Sequence, residues 1–348
     1  MRRCYFSKNY TGTGSGGNKA KTDMEKIMDN LGFINVGLKQ TTYKNKIIGF
    51  ILTLLGVIKA IFTIRKDDYL VLQYPLKKYY SFLCRITRIK GGKVITLIHD
   101  LGSFRRKRLT PDQERSRLAY TDYIIALNDA MKDWLIRDGY KQPIGVLGFW
   151  DYLSDATPIT KQAPLKPYEV IYVGGLTRKR NSFMYAFDKS EHPEGYIFTV
   201  YGGGFEYDTI RNKDIIGYKG FVNSDEIIRS STGDYGLVWY GHSIDKIDGV
   251  FGEYQPIQTP HKPSLYIRCH LPVIIWSKSA LAPFVLENRI GICIDSLSQL
   301  DDVLSNISNE EYLEMKKNTI KMSEKIARGH FFTQAYLEAE KRLSASQS

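Results

Sequence analysis

A repeated alternation of short apolar runs with helix-compatible segments is the feature of this sequence that most limits its fold. The runs KVITLIH (93–99), EVIYVGGL (169–176) and LPVIIW (271–276) are short and rich in β-branched residues, which is typical of strands buried on both faces. Helix-compatible segments such as 129–137 separate such runs. Strands that alternate with helices in this way predict an α/β fold with doubly wound parallel sheets.

The alternation occurs twice along the chain, and a polar segment with two prolines, 161–167, separates the two series. A chain of 348 residues is long enough for two domains with separate cores. We therefore predict a Rossmann-like domain over 1–160 and a second over 161–330, facing each other across a cleft. The final segment, 331–348, is predicted to be a helix that can pack back on the first domain.

The segment 234–294 carries the strongest indication of a binding site. Tyr235–Trp239 and Val273–Trp276 are predicted to be buried strands, and a proline marks the start of a helix between them. His261 and Lys262 then lie at the carboxyl edge of a parallel sheet, where such folds bind ligands. A lysine beside a helix N-terminus suits a diphosphate, although a solvated lysine is the simpler alternative.

Glycines and charged residues follow other predicted strands of the second domain. Gly174 and Gly175 permit a ligand to approach the backbone closely, and Arg178 can hold a phosphate with two hydrogen bonds. Glu253, in a predicted polar loop, can bind a ribose or sugar hydroxyl. A turn with a solvated arginine, and a solvated glutamate, are the alternatives.

In the first domain a Gly/Ser/Thr-rich loop follows the first predicted strand, 2–7. It contains Gly14, Gly16 and Gly17, and its backbone N–H groups can face an anion or a sugar. No Gly-Lys-Ser/Thr ends the loop, and its spacing is not that of a dinucleotide site. A flexible surface loop is the alternative.

His99 and Asp100 end the predicted strand 93–99, at a position where open α/β sheets place active residues. A carboxylate there can take a proton from an acceptor hydroxyl, so both residues are candidate catalytic groups. His99 can instead orient the loop or bind phosphate. Asp100 can instead cap the next turn.

Charge and composition narrow the classes of partner. The net charge of +12 fits nucleic acid, a phosphorylated substrate or an anionic membrane surface, and the absence of a zinc finger or RNA-binding motif disfavours nucleic acid. No HExxH, CxxC or Asp-x-Asp spacing occurs, so we expect no metal and no cofactor. Four scattered cysteines and the lack of a signal peptide predict a cytoplasmic protein.

The most apolar segment, Ile47–Ile64, has about the length at which a membrane span becomes possible. Lys59 and two glycines interrupt it, and strands follow at once. We therefore predict a buried or interfacial helix, with a membrane span as the alternative. An exposed part of it, with the nearby lysines, can dock on a membrane.

Several of these runs, above all YGLVWYG (235–241) and PHKPSLYIRCHLPVIIW (260–276), resemble the bacterial β-1,6-galactofuranosyltransferases of O-antigen synthesis. VITLIHD (94–100), FWDYL (149–153) and IYVGGLTRKRNSFM (171–184) extend the similarity to nearly the whole chain. The wider group includes streptococcal glucosyltransferases that act on glycosylated adhesins. The resemblance implies a GT-B fold, a UDP-sugar held mainly by the C-terminal domain, and transfer without a bound metal.

The resemblance also implies roles for individual residues. Lys262 matches a lysine that contacts the UDP diphosphate, and Arg178 matches an arginine of the donor site. The loop around Gly16 falls where the group has a substrate-contacting threonine, and glycine replaces that threonine in this chain. Phe221 falls near a donor-site tyrosine and lacks its hydroxyl. Asp100 belongs to the shared IHD motif. Its role as a base rests instead on the ability of a carboxylate to take a proton from an acceptor hydroxyl.

The sequence therefore predicts an inverting transferase that moves galactofuranose from UDP-galactofuranose to a hydroxyl of a lipid-linked glycan in surface polysaccharide synthesis. Its expected place is the cytoplasm, at the anionic inner face of the plasma membrane, and a homo-oligomer is compatible with this. The alternatives are a transferase that uses UDP-glucose or UDP-galactopyranose and a non-catalytic nucleotide-sugar or phosphoglycan binding protein. A nucleic-acid-binding protein is a further alternative, which is supported by the net charge alone.

Overall fold

The computed structural model describes residues 1–10, 16–76, 79–105, 107, 109–159, 164, 166–179, 181–190 and 194–345. It divides the chain into two compact units, Met1–Asp151 with Arg328–Ser348 and Tyr152–Ala327. The second unit thus begins earlier than the boundary expected at 160. Tyr152 belongs to it because its backbone N–H donates to the Ile326 carbonyl at 3.0 Å.

The N-terminal unit is built on a six-stranded parallel sheet with the order β2-β1-β3-β4-β5-β6. Its strands are β1 (Arg3–Tyr5), β2 (Ile34–Asn35), β3 (Tyr69–Tyr74), β4 (Lys93–Ile98), β5 (Tyr123–Ala126) and β6 (Ile144–Val146). Its helices are α1 (Gly16–Asn30), α2 (Lys46–Thr63), α3 (Tyr80–Ile89), α4 (Gly102–Arg105), α5 (Pro111–Leu118) and α6 (Asp129–Arg137). Right-handed crossovers place α1 on one face of the sheet and α2, α3, α5 and α6 on the other.

The second unit repeats this architecture with the strand order β12-β11-β10-β7-β8-β9, again all parallel. Its strands are β7 (Tyr168–Val173), β8 (Tyr196–Tyr201), β9 (Ile216–Tyr218), β10 (Tyr235–Val238), β11 (Val273–Trp276) and β12 (Gly291–Ile294). Its helices are α7 (Phe183–Phe187), α8 (Ser224–Ser230), α9 (Gly249–Tyr254), α10 (Lys262–Arg268), α11 (Ala282–Glu287), α12 (Leu300–Ser305) and α13 (Asn309–Ala327). The predicted fold class, with two doubly wound parallel sheets, is confirmed.

The last helix, α14 (His330–Ala345), belongs to the N-terminal unit and packs against β5, β6 and α1. The buried carboxylate of Asp151 accepts the backbone N–H groups of Phe331 and Phe332 at 3.1 and 2.7 Å. The Arg3 guanidinium pairs with Glu340 at 2.6 Å. These contacts secure the start and the C-terminal half of α14 to the N-terminal unit.

Two local predictions differ from the structure. Glu253 was expected in a loop but lies exposed in α9, because Tyr254 is buried and Phe251 stacks on Tyr240 at 4.9 Å. The apolar segment forms α2 as expected, but it is not a buried helix. Only Gly56, Val57 and Ala60 of α2 are buried.

Candidate active site

The strand order of the second unit creates a crevice between β7 and β10. The two strands are neighbours, but the chain leaves β7 towards β8 and leaves β10 towards β11, in opposite directions across the sheet. At such a switch point the loops at the carboxyl ends diverge, and this is where open α/β sheets bind ligands. Gly174 follows β7 here, and Tyr240 comes soon after β10.

Lys262 places a cation at this switch point. Its Nζ lies 4.4 Å from the ring centroid of Tyr172 and 4.4 Å from that of Tyr240, and it donates to the Tyr172 hydroxyl at 3.1 Å. A Cβ at Gly174 would lie 2.6 Å from Nζ, so the loop after β7 comes this close because position 174 has no side chain. The two aromatic faces and the hydroxyl hold a localised positive charge at the edge of the sheet.

The position of Lys262 follows from how α10 is attached to the sheet. Tyr266 of α10 donates its hydroxyl to the Leu237 carbonyl and accepts the Val173 N–H, both at 2.8 Å. It therefore bridges β7 and β10. A Cβ at Gly236 would lie 2.2 Å from Tyr266 Cγ, so the glycine in β10 admits the ring. This fixes the first turn of α10, and Lys262 with it, above the crevice.

The hydroxyl beside Lys262 is a neutral partner. Burial raises the pKa of Tyr172 above its usual range, so the phenol stays protonated at neutral pH. The Asn181 side-chain amide donates to the same oxygen at 2.6 Å and fixes its orientation. Because Tyr172 carries no charge, it orients the Lys262 ammonium without neutralising it.

The loops after β7, β8 and β9 are layered against each other at the same edge. Gly174 N–H donates to the Tyr201 carbonyl, and Gly202 N–H donates to the Gly220 carbonyl, each at 2.8 Å. Gly202 has a φ of +139°, and a Cβ there would lie 2.0 Å from the Gly174 oxygen. Phe221, next to Gly220, exposes 66% of its surface. The layered loops therefore connect the Gly174 loop, which lies beside Lys262, with the loop that carries the exposed ring of Phe221.

Arg178 is engaged elsewhere in the second unit. Its Nε donates to Glu206 and its Nη2 to Thr209, both at 2.7 Å, and its guanidinium lies 4.1 Å from the Tyr185 ring centroid. A phosphate that takes the Nε and Nη2 donors of Arg178 therefore has to displace Glu206 and Thr209. An exposed pair of this kind is weak, so such an exchange is inexpensive.

His261 and Gly175 support the site in different ways. The His261 ring stacks on Tyr152, with 4.9 Å between centroids, and it makes no side-chain bond that caps α10. A Cβ at Gly175 would lie 3.6 Å from the Gly203 carbonyl, which is ordinary contact distance. A Cβ at position 175 would therefore fit beside the neighbouring loop, so the packing of the layered loops does not require a glycine there.

In the N-terminal unit, His99 is held by its neighbours. Gln73 donates its amide to the Lys21 carbonyl at 3.1 Å, so the amide oxygen faces His99 Nε2, 2.7 Å away. Nε2 therefore carries the proton in this arrangement. The ring stacks on Trp150, with 4.7 Å between centroids. These contacts favour an orienting role for the histidine.

Asp100 accepts a hydrogen bond from Arg105 Nη1 at 2.5 Å. The Arg105 guanidinium therefore occupies an oxygen of the carboxylate that would have to take the acceptor's proton. The turn that follows is held by Glu114, whose buried carboxylate accepts the N–H groups of Gly102 and Ser103 at 2.6 and 2.9 Å. Glu114 therefore sets the path of the chain beyond Asp100.

The glycine-rich loop is only partly described. Gly14 lies outside the described residues, while Gly16 and Gly17 begin α1. Their role in binding substrate stays a prediction. Within the described part of the chain, no group of three or more His, Cys, Asp or Glu residues has the arrangement of a metal site.

Comparison with known proteins places this geometry in a family. Residues 3–149 match the model "Glucosyltransferase 3-like, N-terminal domain", and residues 170–339 match "Glucosyltransferase 3-like, C-terminal domain". The β-1,6-galactofuranosyltransferase WbbI of Escherichia coli K12 is 32% identical over 272 residues, which cover 77% of this chain and 78% of WbbI. The chain belongs to the glucosyltransferase 3-like family. It is a glycosyltransferase related to WbbI.

Two further likenesses support the family and the fold. Glucosyltransferase 3 of Streptococcus gordonii is 23% identical over 74% of each chain. The structure of Anabaena HepE in complex with UDP and glucose superimposes with a TM-score of 0.58 at 12% identity, over 99% of this chain and all of HepE. The resemblance in the sequence is thereby confirmed, and the fold is GT-B.

Sequence reasoning missed the residues that hold the cation of this glucosyltransferase 3-like chain. Tyr172, Tyr240 and Tyr266 were read only as parts of strands and a helix. A usable signal was Gly236 in the middle of a buried strand, since a glycine there often marks the close approach of another group. Glu114 gave no such signal, because a glutamate near a helix start is usually solvated.

Proposed function

We propose that this chain transfers galactofuranose from UDP-galactofuranose to a hydroxyl of a lipid-linked glycan, with inversion to a β-linkage, in the synthesis of a surface polysaccharide. The observation that carries the proposal is Lys262, a cation fixed between Tyr172 and Tyr240 at the switch point of the second sheet. The choice of sugar is supported by the 32% identity to a protein named as a β-1,6-galactofuranosyltransferase.

The charge at Lys262 suits the leaving group of such a reaction. The acceptor hydroxyl loses its proton, its oxygen bonds to the anomeric carbon, and the bond from that carbon to the diphosphate oxygen breaks. UDP leaves with the electron pair of that bond, so negative charge grows on the diphosphate. A cation already oriented by Tyr172 stabilises this charge without reorganisation. We propose on this basis that transfer needs no metal ion and no cofactor.

The donor is proposed to lie along the carboxyl edge of the second sheet. Its diphosphate meets Lys262 over the backbone of Gly174 and Gly175, and the exposed Phe221 ring contacts the nucleoside. Arg178 joins the diphosphate when phosphate replaces Glu206. We further assign His261 to the support of the α10 start. Glu253, exposed on α9, is the candidate partner for a sugar hydroxyl.

The acceptor side of the reaction is proposed to use the N-terminal unit. Asp100 is the candidate proton acceptor and His99 the residue that orients the loop, and Gly16 and Gly17 border the candidate substrate loop. The Asp100 oxygen that accepts from Arg105 has to be released before that oxygen can take a proton. A cytoplasmic location agrees with four free cysteines, three of them buried.

A glucosyl donor is the second candidate. The Streptococcus gordonii relative is named as a glucosyltransferase, and the HepE structure contains UDP and glucose. Lys262 would contact the diphosphate of UDP-glucose, UDP-galactopyranose and UDP-galactofuranose in the same way. The donor sugar therefore has to be decided by turnover.

A donor panel tests the proposal. UDP release is measured with UDP-galactofuranose, UDP-galactopyranose and UDP-glucose in the presence of a lipid-linked glycan acceptor, with and without EDTA. We expect kcat/KM to be highest for UDP-galactofuranose, by about tenfold or more, and to be unchanged by EDTA. A preference for a pyranose donor overturns the choice of sugar. UDP binding without release from any donor indicates a binding protein.

A further inference from the structure

Helix α2 is apolar on nearly all sides, yet it lies on the surface of the N-terminal unit. Eight of its large apolar side chains are exposed, among them Ile47, Ile51, Leu55 and Phe62, with 70% and 81% exposure at Ile47 and Phe62. By length and composition α2 could even cross a membrane. A helix on a water-exposed surface normally carries polar residues on its outer face, and an exposed apolar patch of this size indicates a contact site.

A narrow stripe of small residues attaches α2 to its unit. A Cβ at Gly49 would lie 2.6 Å from Asn9 Nδ2, and one at Gly56 would lie 3.3 Å from the Leu38 N atom. Lys59 Nζ donates to the Gly37 carbonyl at 2.7 Å. The Asn45 side chain caps the first turn. The helix is therefore fixed along its length, with its apolar side chains turned away from the unit.

Helix α3 lies beside α2 and widens the apolar surface. The rings of Phe50 and Tyr79 are in contact near the start of both helices. Lys90, which follows α3, donates to the Ile64 carbonyl at the end of α2, at 3.0 Å. The two helices therefore run in the same direction. Phe82 and Ile89 of α3 are also exposed, Ile89 by 80%.

The charge around these helices is strongly one-sided. Residues 31–99 contain twelve lysines and arginines but only two acidic residues, Asp67 and Asp68, so this stretch holds ten of the twelve net positive charges of the chain. Asp68 is buried and paired with Arg2. Exposed cations stand at the start of α2, with Lys44 just before the helix and Lys46 as its first residue, and others lie just beyond its end.

The exposed apolar side chains and the cations around them together indicate what binds this surface. A second copy of the chain would bring the same excess of cations against the first, whereas an anionic lipid surface complements it. We propose that the face formed by α2 and α3 binds an anionic phospholipid membrane. The exposed apolar side chains enter the boundary between headgroups and acyl chains, and the surrounding lysines and arginines meet the lipid phosphates.

The inference rests on the proposed function only in one respect, namely that a lipid-linked acceptor lies at such a surface. Binding to lipid needs neither donor nor acceptor. It can therefore be measured separately from transfer, and either proposal can fail without the other.

Vesicle flotation of the full chain tests the inference. Vesicles of phosphatidylcholine alone are compared with vesicles containing about 30% phosphatidylglycerol, at about 0.1 M and about 0.5 M salt. We expect the chain to float with the phosphatidylglycerol vesicles and not with phosphatidylcholine alone. Higher salt should lower the bound fraction, because the cations around α2 are screened.

Paired variants place the contact on α2. Ile51→Ser with Phe62→Ser should lower partitioning to the anionic vesicles about tenfold or more, because both side chains are exposed and apolar. The matched control is Leu286→Ser with Leu313→Ser, two exposed leucines of the second unit, which should leave partitioning unchanged. Thermal unfolding and UDP release with a detergent-solubilised acceptor confirm that both pairs are folded and active.

Three results would overturn the inference. The first is equal flotation with and without phosphatidylglycerol. The second is an equal loss of partitioning in the control pair. The third is a wild-type oligomer in light scattering that Ile51→Ser with Phe62→Ser dissociates while vesicles bind neither protein, which would make this face a contact between copies of the chain.

Discussion

Gly236 lies in the middle of β10, where a glycine normally weakens a strand because it has no side chain to pack. The space it leaves is filled by the ring of Tyr266, whose hydroxyl joins β7 to β10. Through Tyr266 the first turn of α10 is fixed, and with it the Nζ of Lys262. Gly236 and Tyr266 thus position the cation that is proposed to bind the diphosphate, although neither is proposed to contact the ligand.

Removing the Tyr266 hydroxyl tests this arrangement. Tyr266→Phe should lower the free energy of unfolding by about 1–3 kcal/mol, because the Val173 N–H and the buried Leu237 carbonyl both lose their partner. It should also weaken UDP binding several-fold, because α10 loses its tie to the two strands. Chemical denaturation and calorimetric titration with UDP measure the two effects.

The matched control for that variant is Tyr80→Phe in the N-terminal unit, whose buried hydroxyl bonds to Thr96 at 2.7 Å. It should lower stability by a similar amount and leave UDP binding unchanged. If Tyr266→Phe affects UDP affinity no more than Tyr80→Phe does, α10 is not what positions Lys262.

The sequence allows some of these residues to be predicted and not others. Lys262 and Gly174 were identified because each lies beside the end of a strand or the start of a helix, which local patterns reveal. Tyr172 and Tyr240 meet Lys262 only after the sheet has formed, and such pairing over a long separation leaves no local pattern. Arg178 was predicted to bind phosphate, but its contact with Glu206 depends on the loop after β8.

At the scale of elements, the strands that are buried on both faces were the easiest to predict. Helix α6 has the bounds expected from its pattern. Strand β2, with two residues, exists only because it pairs with β1, and α9 was missed because it contains Gly249 and Gly252. Helix α2 was predicted, but an apolar pattern does not distinguish a protein core from another apolar contact, so its exposure was not.

The attachment of α14 gives the stability of the chain a pH dependence. Burial raises the pKa of Asp151 from 3.8 to about 7, despite the two backbone N–H groups it accepts. The folded chain then binds this proton more tightly than the unfolded chain. The Asp151 contribution to the free energy of unfolding is therefore largest below pH 4 and falls as the pH rises to 7, by up to about 1.4 kcal/mol per pH unit.

Asp151→Asn isolates that contribution. The amide offers one oxygen to two N–H groups, so the variant should be less stable than the wild type at pH 5, by about 1–3 kcal/mol. The difference should narrow as the pH rises to 8, since only the wild type titrates. Glu25, whose pKa burial raises to about 7, and His270, whose pKa burial lowers to about 4, titrate in both proteins and cancel.

Denaturation of both proteins across pH 5–8 is the measurement for Asp151→Asn. A stability difference between wild type and variant that stays constant over this range would show that Asp151 is already ionised in the folded chain at pH 5. The N-terminal attachment of α14 would then depend on a permanent charge.

At the scale of the whole molecule, the two units differ in how their positive charge is arranged. The excess of positive charge is concentrated in residues 31–99 of the N-terminal unit, beside the exposed α2. Lys262, whose ammonium is held in place by Tyr172 and Tyr240, belongs to the second unit. The net charge alone predicted anionic partners, but only the structure separates a broad basic surface from a point charge held by aromatic rings.

The central claim is that Lys262 holds the diphosphate of a UDP-sugar, and calorimetric titration of UDP into Lys262→Ala tests it most directly. The control is Lys278→Ala, since Lys278 is an exposed lysine 6.0 Å from the Trp276 ring, just beyond β11. We predict that Lys262→Ala weakens UDP binding about 10- to 100-fold, as expected for the loss of a charged hydrogen bond, while Lys278→Ala stays within about twofold of wild type. UDP binding by Lys262→Ala with wild-type affinity would contradict the claim.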